Sequence, residues 1–266
     1  LVKKYDITVL PQVLIWGKDI YQDGIDILPT QFYEKLKTAT IMPTTSQVTV
    51  AKVHEVFKEL IDQDHQILAI LISTKLSGTN NSAVQALAML PEGAPVKIVD
   101  SQSTAMAMGF QVLTVARAIE QGASLDEAYK LAEHVIEHTG VVFAVETLEF
   151  LHRGGRIGGG KRFLGTALNI KPILELTEGK IEGIEQVRTR SKSLTRLVEL
   201  VEKRIAGRSP VHLAALHADA EGEAKSVLQE AIARLNPVES IMSEVSPVVG
   251  AQAGPGTVGL AFLAGV

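Results

Sequence analysis

The apolar run Ile67–Ile72 (ILAILI) stops at Ser73, and the chain turns through Thr74-Lys75-Leu76-Ser77-Gly78-Thr79 into a helix-like segment from Asn80. A continuous apolar run of this length reads as a strand buried on both faces, which α/β layering supplies. A buried strand that ends in a turn bearing glycine and hydroxyls, just before a helix, aims backbone N–H groups and hydroxyls at one point. That arrangement suits an oxyanion such as a carboxylate or phosphate. A second hydroxyl cluster, Thr44-Thr45-Ser46-Gln47, precedes another helix-like run. Together the two clusters point to a pocket that holds an acid through neutral donors.

The rest of the chain extends the same layering. A strand is predicted over Ile7–Ile15, and a short helix over Thr30–Lys37 with Thr30 as its cap. Val50, Val53, Val56, Phe57, Leu60 and Ile61 recur at helical spacing. Val96–Val99 and Val141–Val145 join Ile67–Ile72 as predicted buried parallel strands. Helices are predicted over Asn80–Met89, Thr104–Glu120 and Ser124–His138, the last capped by Ser124 with Glu127 three residues on. Beyond the glycine-dense Arg153–Gly160 the grain changes: Lys171–Leu176 and Lys180–Val187 flank Thr177-Glu178-Gly179 as a hairpin. A helix over Ser193–Ile205 follows, then a strand–helix–strand unit (Val211–Leu216, Glu221–Leu235, Val238–Glu244) and a closing strand Thr257–Ala264. The expected fold is α/β with two domains. These are an N-terminal parallel-sheet domain over residues 1–152 and a C-terminal mixed-sheet domain over residues 153–266.

Composition narrows the function classes. A formal net charge of −4 over 266 residues argues against a nucleic-acid partner. The absence of cysteine excludes disulfides, thiolate catalysis and Cys-ligated metals, and fits a cytoplasmic protein. No apolar run approaches ~20 residues, so no membrane span is expected. The chain opens at Leu1 without Met and without a signal pattern, and the expectation is that an upstream piece lies outside it.

Several motifs compete for a chemical reading. Gly155-Arg156-Ile157-Gly158-Gly159-Gly160-Lys161 matches the first part of a phosphate-binding loop, but Arg162 stands where Ser or Thr would bind Mg²⁺. An interdomain loop is the better reading, with a basic docking or gating loop as the alternative because Arg153, Arg156, Lys161 and Arg162 cluster there. His212 and His217 fall on opposite faces of one predicted strand and lack a zinc-like partner pattern. Asp100-Ser101, at a strand end, either lines a pocket or caps a turn. Gly250–Gly256 brings backbone close to a neighbour or simply turns before the last strand. Arg188 and Arg190 alternate along a predicted strand and form a basic run with Lys192, either a solvated edge or a docking patch for an acidic surface. No serine lies in a G-x-S-x-G elbow, and no catalytic base, metal cluster or intact nucleotide loop emerges.

The ordered set Thr44–Gln47, Leu76–Thr79 with Asn81–Ala83, Val99–Ser101, Glu146–Glu149, Arg153–Ile157, Lys171–Leu174, Arg188-x-Arg190-x-Lys192 and Gly254–Gly256 resembles the DegV family along the whole chain. The resemblance implies a non-catalytic bacterial protein that needs no cofactor and no metal. It would be a two-domain α/β protein that buries its ligand, one long-chain fatty acid, between the two domains and presents it to the catalytic subunit of a fatty acid kinase serving phospholipid synthesis. The family's carboxylate-binding residues fall on Thr45 and Ser77; Ser46, Gly78, Thr79, Asp100, Ser101 and Gln252 are expected to line the pocket, and Arg188 and Arg190 to dock the kinase. The family's usual first strand and Asp-Ser-Thr turn have no match here, so the fold is expected to lack that strand. Gln252 stands where the family pattern usually has His, which removes a group able to become a cation. Val48 stands where proline is common. Two further readings are a serine-dependent acyl-transfer enzyme using Ser77 and a sensor that only sequesters lipid.

Overall fold

In the computed structural model, which describes residues 1–164 and 170–266, the strands form three sheets. β1 (Val13–Trp16) and β2 (Asp19–Gln22) form an antiparallel hairpin, and α1 (Pro29–Lys37) follows. β3 (Thr44–Ser46) then pairs with the other edge of β1, bringing Thr45 opposite Leu14. The strand expected over residues 7–15 is confined to β1, because Pro11 has no N–H to give a ladder. α1 begins one residue before its expected cap: Pro29 takes the first helical position, and the Gln31 side-chain oxygen Oε1 accepts the Leu28 N–H at 3.0 Å.

α2 (Val50–Asp62) starts where Thr49 accepts from the Lys52 N–H at 3.2 Å. β4 (Ile67–Leu71), α3 (Thr79–Ala88) and β5 (Val96–Asp100) make a β–α–β unit whose strands pair in parallel. α4 (Ala105–Glu120) and α5 (Leu125–Val135) follow, the latter with the expected Ser124–Glu127 capping box.

β6 (Thr139–Ala144) leads to α6 (Glu149–Gly154) and a 3₁₀ segment, Gly158–Phe163. The hairpin β7 (Lys171–Thr177) and β8 (Lys180–Val187) turns through Glu178 and Gly179, both in the left-handed region that a tight hairpin turn requires. Next come α7 (Arg190–Ile205), β9 (Val211–His217), α8 (Glu221–Leu235), β10 (Glu239–Glu244), α9 (Pro247–Ala253) and β11 (Val258–Ala264). These strands form one mixed sheet in the order β10-β9-β11-β6-β7-β8.

β6 corrects one expectation. It pairs antiparallel with both β11 and β7, not in a parallel sheet. Its apolar run has another cause: α7 covers one face and α4 the other, so every side chain is buried whatever the strand polarity. The six-stranded sheet therefore takes a central strand from upstream of the glycine-dense stretch. On one face, Val142, Leu213, Val258 and Leu260 pack with Leu197 and Val201 of α7 and Val227 of α8. On the other, Val141, Leu216 and Ala261 face Phe32 and Tyr33 of α1 and Phe110 of α4.

Candidate ligand-binding site

A cavity of about 250 Å³ lies over this second face, between the sheet, α9 and the turn after β4. For scale, a cavity of roughly 150 Å³ admits benzene. Most of its wall is apolar: Val141, Phe143, Leu151, Leu176, Ile181, Leu216, Val245, Val248 and Val249. One end is polar, formed by Gln12, Thr45, Ser46, Gln47, Ser77, Gly78 and Gln252, with Arg156 beside them.

Local chemistry sets the polar end. The β4–α3 turn closes with the Ser77 N–H donating to the Ser73 carbonyl at 3.0 Å, which leaves Gly78 as the helix cap of α3. The Ser77 and Thr79 hydroxyls lie 2.9 Å apart, and Gln12 Nε2 donates to Thr79 Oγ1 at 2.9 Å. Gln252, near the end of α9, donates from Nε2 to Thr45 Oγ1 at 2.9 Å. Since Thr45 accepts there, its own hydroxyl proton is left for an incoming acceptor. Close packing fixes both carboxamides in place. A Cβ on Gly78 would lie 1.9 Å from Gln47 Oε1, and one on Gly154 would lie 1.7 Å from Gln252 Oε1. Gln252 Oε1 is buried and accepts no hydrogen bond among the described residues.

α9 is held at its start by Asp23, which accepts from Ser246 Oγ at 2.7 Å and the Val248 N–H at 3.1 Å. Burial pushes the Asp23 carboxyl above its ordinary value, and these two hydrogen bonds oppose that rise. At the tip of the β7–β8 hairpin, the Gly179 carbonyl accepts from Ser73 Oγ at 2.8 Å, tying that hairpin to the end of β4.

The expected site residues separate into groups. Thr45, Ser46, Ser77, Gly78 and Gln252 meet at the polar end. Thr79 is buried behind Ser77 and supports it without lining the cavity. Asp100 and Ser101 do not line it either. The Asp100 carboxylate accepts from the Thr74 N–H at 3.2 Å, the Thr74 hydroxyl at 2.6 Å and the Gln102 N–H at 3.0 Å, so it ties two turns together. Ser101 is buried, with its hydroxyl donating to the Ser103 carbonyl.

Arg188 and Arg190 do not share a strand face, because β8 ends at Val187 and Arg190 is the first residue of α7. Arg188 is exposed, whereas Arg190 turns inward to Glu223 at 2.6 Å, Glu146 at 3.3 Å and the Gly256 carbonyl. Lys171 also pairs with Glu146. The motif residues Glu146, Lys171, Arg190 and Gly256 thus form an internal ionic hub.

The glycine-dense stretch packs against β8: a Cβ on Gly158 would lie 2.1 Å from the Ile181 carbonyl oxygen, and one on Gly159 would meet Glu182. It follows a helix rather than a strand, so it is not built as a phosphate-binding loop. Its Arg156 reaches the Leu76 carbonyl at 3.0 Å and the Gly154 carbonyl at 2.7 Å at the cavity rim. His212 pairs with Glu239 at 2.9 Å, and His217 is buried, each an ordinary strand histidine. Gly250 lies inside α9, so the turn before β11 is confined to Gly254–Gly256.

Sequence reasoning missed Gln12 and the apolar walls, and reached Arg156 only within the basic cluster read as a docking or gating loop. Gln12 did leave a signal, as a polar residue interrupting the run from Val9 to Trp16. Among the described residues there is no cluster able to hold a metal ion and no helix long and apolar enough to cross a membrane.

Comparison with known proteins gives a consistent family. The family model described as "Uncharacterised protein, DegV family" matches residues 1–265. Protein DegV of Bacillus subtilis is 31% identical over 98% of this chain and 92% of its own length. A DegV domain-containing protein of Streptomyces coelicolor is 34% identical over 97% of this chain and 92% of its own. Among solved structures, a fatty-acid-binding DegV family protein from Thermus thermophilus superposes with a TM-score of 0.93 at 33% identity, covering 99% of this chain and 94% of that one. The structure of B. subtilis DegV, a fatty acid binding protein, superposes with a TM-score of 0.89 at 28% identity over 99% of this chain and 93% of that one.

Proposed function

The chain belongs to the DegV family, and on that footing we propose that its cavity holds one long-chain fatty acid and presents the carboxylate to a partner fatty acid kinase. The observation that carries this reading is a largely apolar cavity closed at one end by neutral hydrogen-bond donors. The Thr45 and Ser77 hydroxyls, with the N–H groups at the start of α3, receive the carboxylate.

Burial supplies most of the affinity: about 0.8 kcal/mol per methylene gives a sixteen-carbon acid on the order of 12 kcal/mol gross, from which ordering and association costs are subtracted. The hydroxyls fix orientation and leave the carboxylate nucleophilic. In the kinase complex a carboxylate oxygen bonds to the terminal phosphorus of ATP, the bond from that phosphorus to the bridging oxygen breaks, and ADP leaves. The protein itself is a cytoplasmic, non-catalytic carrier in this reading. Exposed Arg188 is available for kinase docking, whereas Arg190 is engaged in the internal hub. A nucleophilic role for Ser77 gains no support: its hydroxyl meets the Thr79 hydroxyl, the Thr79 N–H at 3.3 Å and, at 3.5 Å, the Gln12 carboxamide, none of which takes a proton at neutral pH.

Denaturing extraction of the purified protein, read by mass spectrometry, tests the reading. About one non-covalent long-chain fatty acid per chain is expected. Absence of any acyl species, together with failure to bind added palmitate or oleate, overturns it.

A further inference from the structure

Gly259 is the second residue of β11, paired on both sides in a central strand of the six-stranded sheet, where glycine weakens a strand unless something needs the space. Its φ is not among the left-handed ones, so the backbone does not require glycine. The nearest atoms to an added Cβ are Phe143 Cβ at 3.1 Å, the Val142 carbonyl oxygen at 3.4 Å and Leu216 Cβ at 3.6 Å, so the one backbone atom among them lies at ordinary contact distance. All three belong to the strands on either side, and Phe143 and Leu216 are the residues in register with Gly259. What the glycine leaves open lies above the sheet, and Gly259, Phe143 and Leu216 all line the cavity.

The alternation of β11 extends this row into a lane. Thr257, Gly259 and Ala261 share the cavity face, while Val258, Leu260 and Phe262 pack on the opposite face. Leu216 and Phe143 wall the lane at Gly259, and Val141, paired with Ala261, lines the cavity one row deeper. The Thr257 end abuts the C-terminus of α9, where its hydroxyl donates to the Ala253 and Gly254 carbonyls, next to Gln252. The lane thus runs from the polar end along β11 into the sheet interior, and Gly259 lies between its two ends.

We propose that Gly259 is a specificity-determining residue: its missing side chain is the gap through which a long acyl chain passes, and it sets the length of fatty acid accepted. This inference rests on the fatty-acid reading above and adds to it the residue that selects chain length. Each methylene that loses its place beyond Gly259 weakens binding about fourfold, so length discrimination compounds quickly.

The test compares the parent with Gly259→Ala and Gly259→Val, using displacement of a fluorescent fatty acid by decanoate, laurate, palmitate and stearate, with melting curves as the control of fold. In the Val variant, palmitate and stearate are expected to lose affinity by at least about tenfold while decanoate holds, and the co-purified lipid shifts to shorter chains. The Ala variant is expected to show the same trend at several-fold size. If Gly259→Val does not fold, Gly259→Ala alone decides. Folded variants that keep the parent's order of affinities with chain length overturn the role of Gly259 and leave the fatty-acid reading standing. A parent that binds none of the four acids overturns that reading and this inference with it.

Discussion

The two faces of the six-stranded sheet are made by the same strands and do opposite things. Towards α7 and α8, β11 presents Val258, Leu260 and Phe262, and β9 presents Val211 and Leu213, all buried against Leu197, Val201 and Val227. Towards α4 and α9, the same β11 presents Gly259 and Ala261, with Thr257 just before it, and the cavity occupies the room they leave. The two-residue period of a strand makes this division of labour available within one element. The filled face stabilises through buried apolar area; the open face withholds volume so that a ligand can complete it. Removing atoms from the first and adding atoms to the second should therefore have separable consequences.

The largest expected effect is on the filled face. Leu260→Ala in central β11 removes a fully buried side chain and should cost about 2–5 kcal/mol of stability. Chemical denaturation of the ligand-stripped protein measures this. Fatty-acid affinity of the folded fraction, read by titration, should change little. A loss of affinity as large as the loss of stability would mean that the two faces are not energetically separate.

At the polar end of the open face the order of effects reverses. Thr45→Ala combined with Ser77→Ala removes both hydroxyl donors, and a hydrogen bond to a charged group contributes about 1.5–3 kcal/mol. Palmitate affinity should fall at least about tenfold and acyl-phosphate formation with a fatty acid kinase should fall with it, while the melting temperature of the ligand-free protein stays near the parent's. Unchanged binding and phosphorylation in the double variant would remove Thr45 and Ser77 from the site.

The contrast also separates what was legible in the sequence from what was not. Local chemistry was legible. The Ser124–Glu127 capping box, the Glu178-Gly179 hairpin turn and the Ser77-Gly78 approach to α3 each depend on neighbours within a few residues. Non-local partners were not. Nothing in Val141–Val145 states which strands flank it, and burial under helices on both sides gives an antiparallel strand the same apolar run as a parallel one. Arg190 looked like a surface charge because Glu223 and Glu146 lie 33 and 44 positions away in the chain and become its partners only on folding. Asp100 shows how a strand-end carboxylate is taken up by turn N–H groups when they are nearer than the pocket. Gln12 and Gln252 join hydroxyls that lie far from them in sequence, so their pairing was not readable from either segment alone.

A smaller effect would sharpen the account of the polar end. The Thr45 and Ser77 hydroxyls proposed to meet the carboxylate there, and the Gln252 carboxamide beside them, do not titrate near neutral pH. Palmitate affinity of the parent should therefore be flat from about pH 6 to 8.5, once the ligand's own ionisation is accounted for. Gln252→His introduces a group with an ordinary value near 6.5, and a bound carboxylate favours its charged form. Affinity of that variant should be higher at low pH and fall as pH rises through the histidine's value, a change of roughly tenfold or less. Calorimetric titration at several pH values checks it; a flat profile in the variant would place position 252 out of reach of the carboxylate.

The smallest effect tests how the open face keeps its movable-looking wall in place. α9 supplies Val248, Val249, Gln252 and Ala253 to the cavity, and Asp23 holds its first turn through Ser246 and Val248. Burial raises the Asp23 carboxyl above its ordinary value, so this group's contribution to folding is fullest at pH below its unfolded value and is lost as pH rises through the folded one. Asparagine accepts hydrogen bonds through its side-chain oxygen but does not ionise. Asp23→Asn should therefore lie close to the parent in acid and gain on it as pH rises above the ordinary carboxyl value. Asp23→Ala loses both acceptor contacts and should be the less stable of the two variants at every pH. Melting curves of parent and both variants from acid to neutral pH measure the difference. A stability gap between Asp23→Asn and the parent that shrinks as pH rises would reverse the sign assigned to Asp23. It would make the ionised carboxylate, rather than its hydrogen bonds alone, the anchor of the cavity wall.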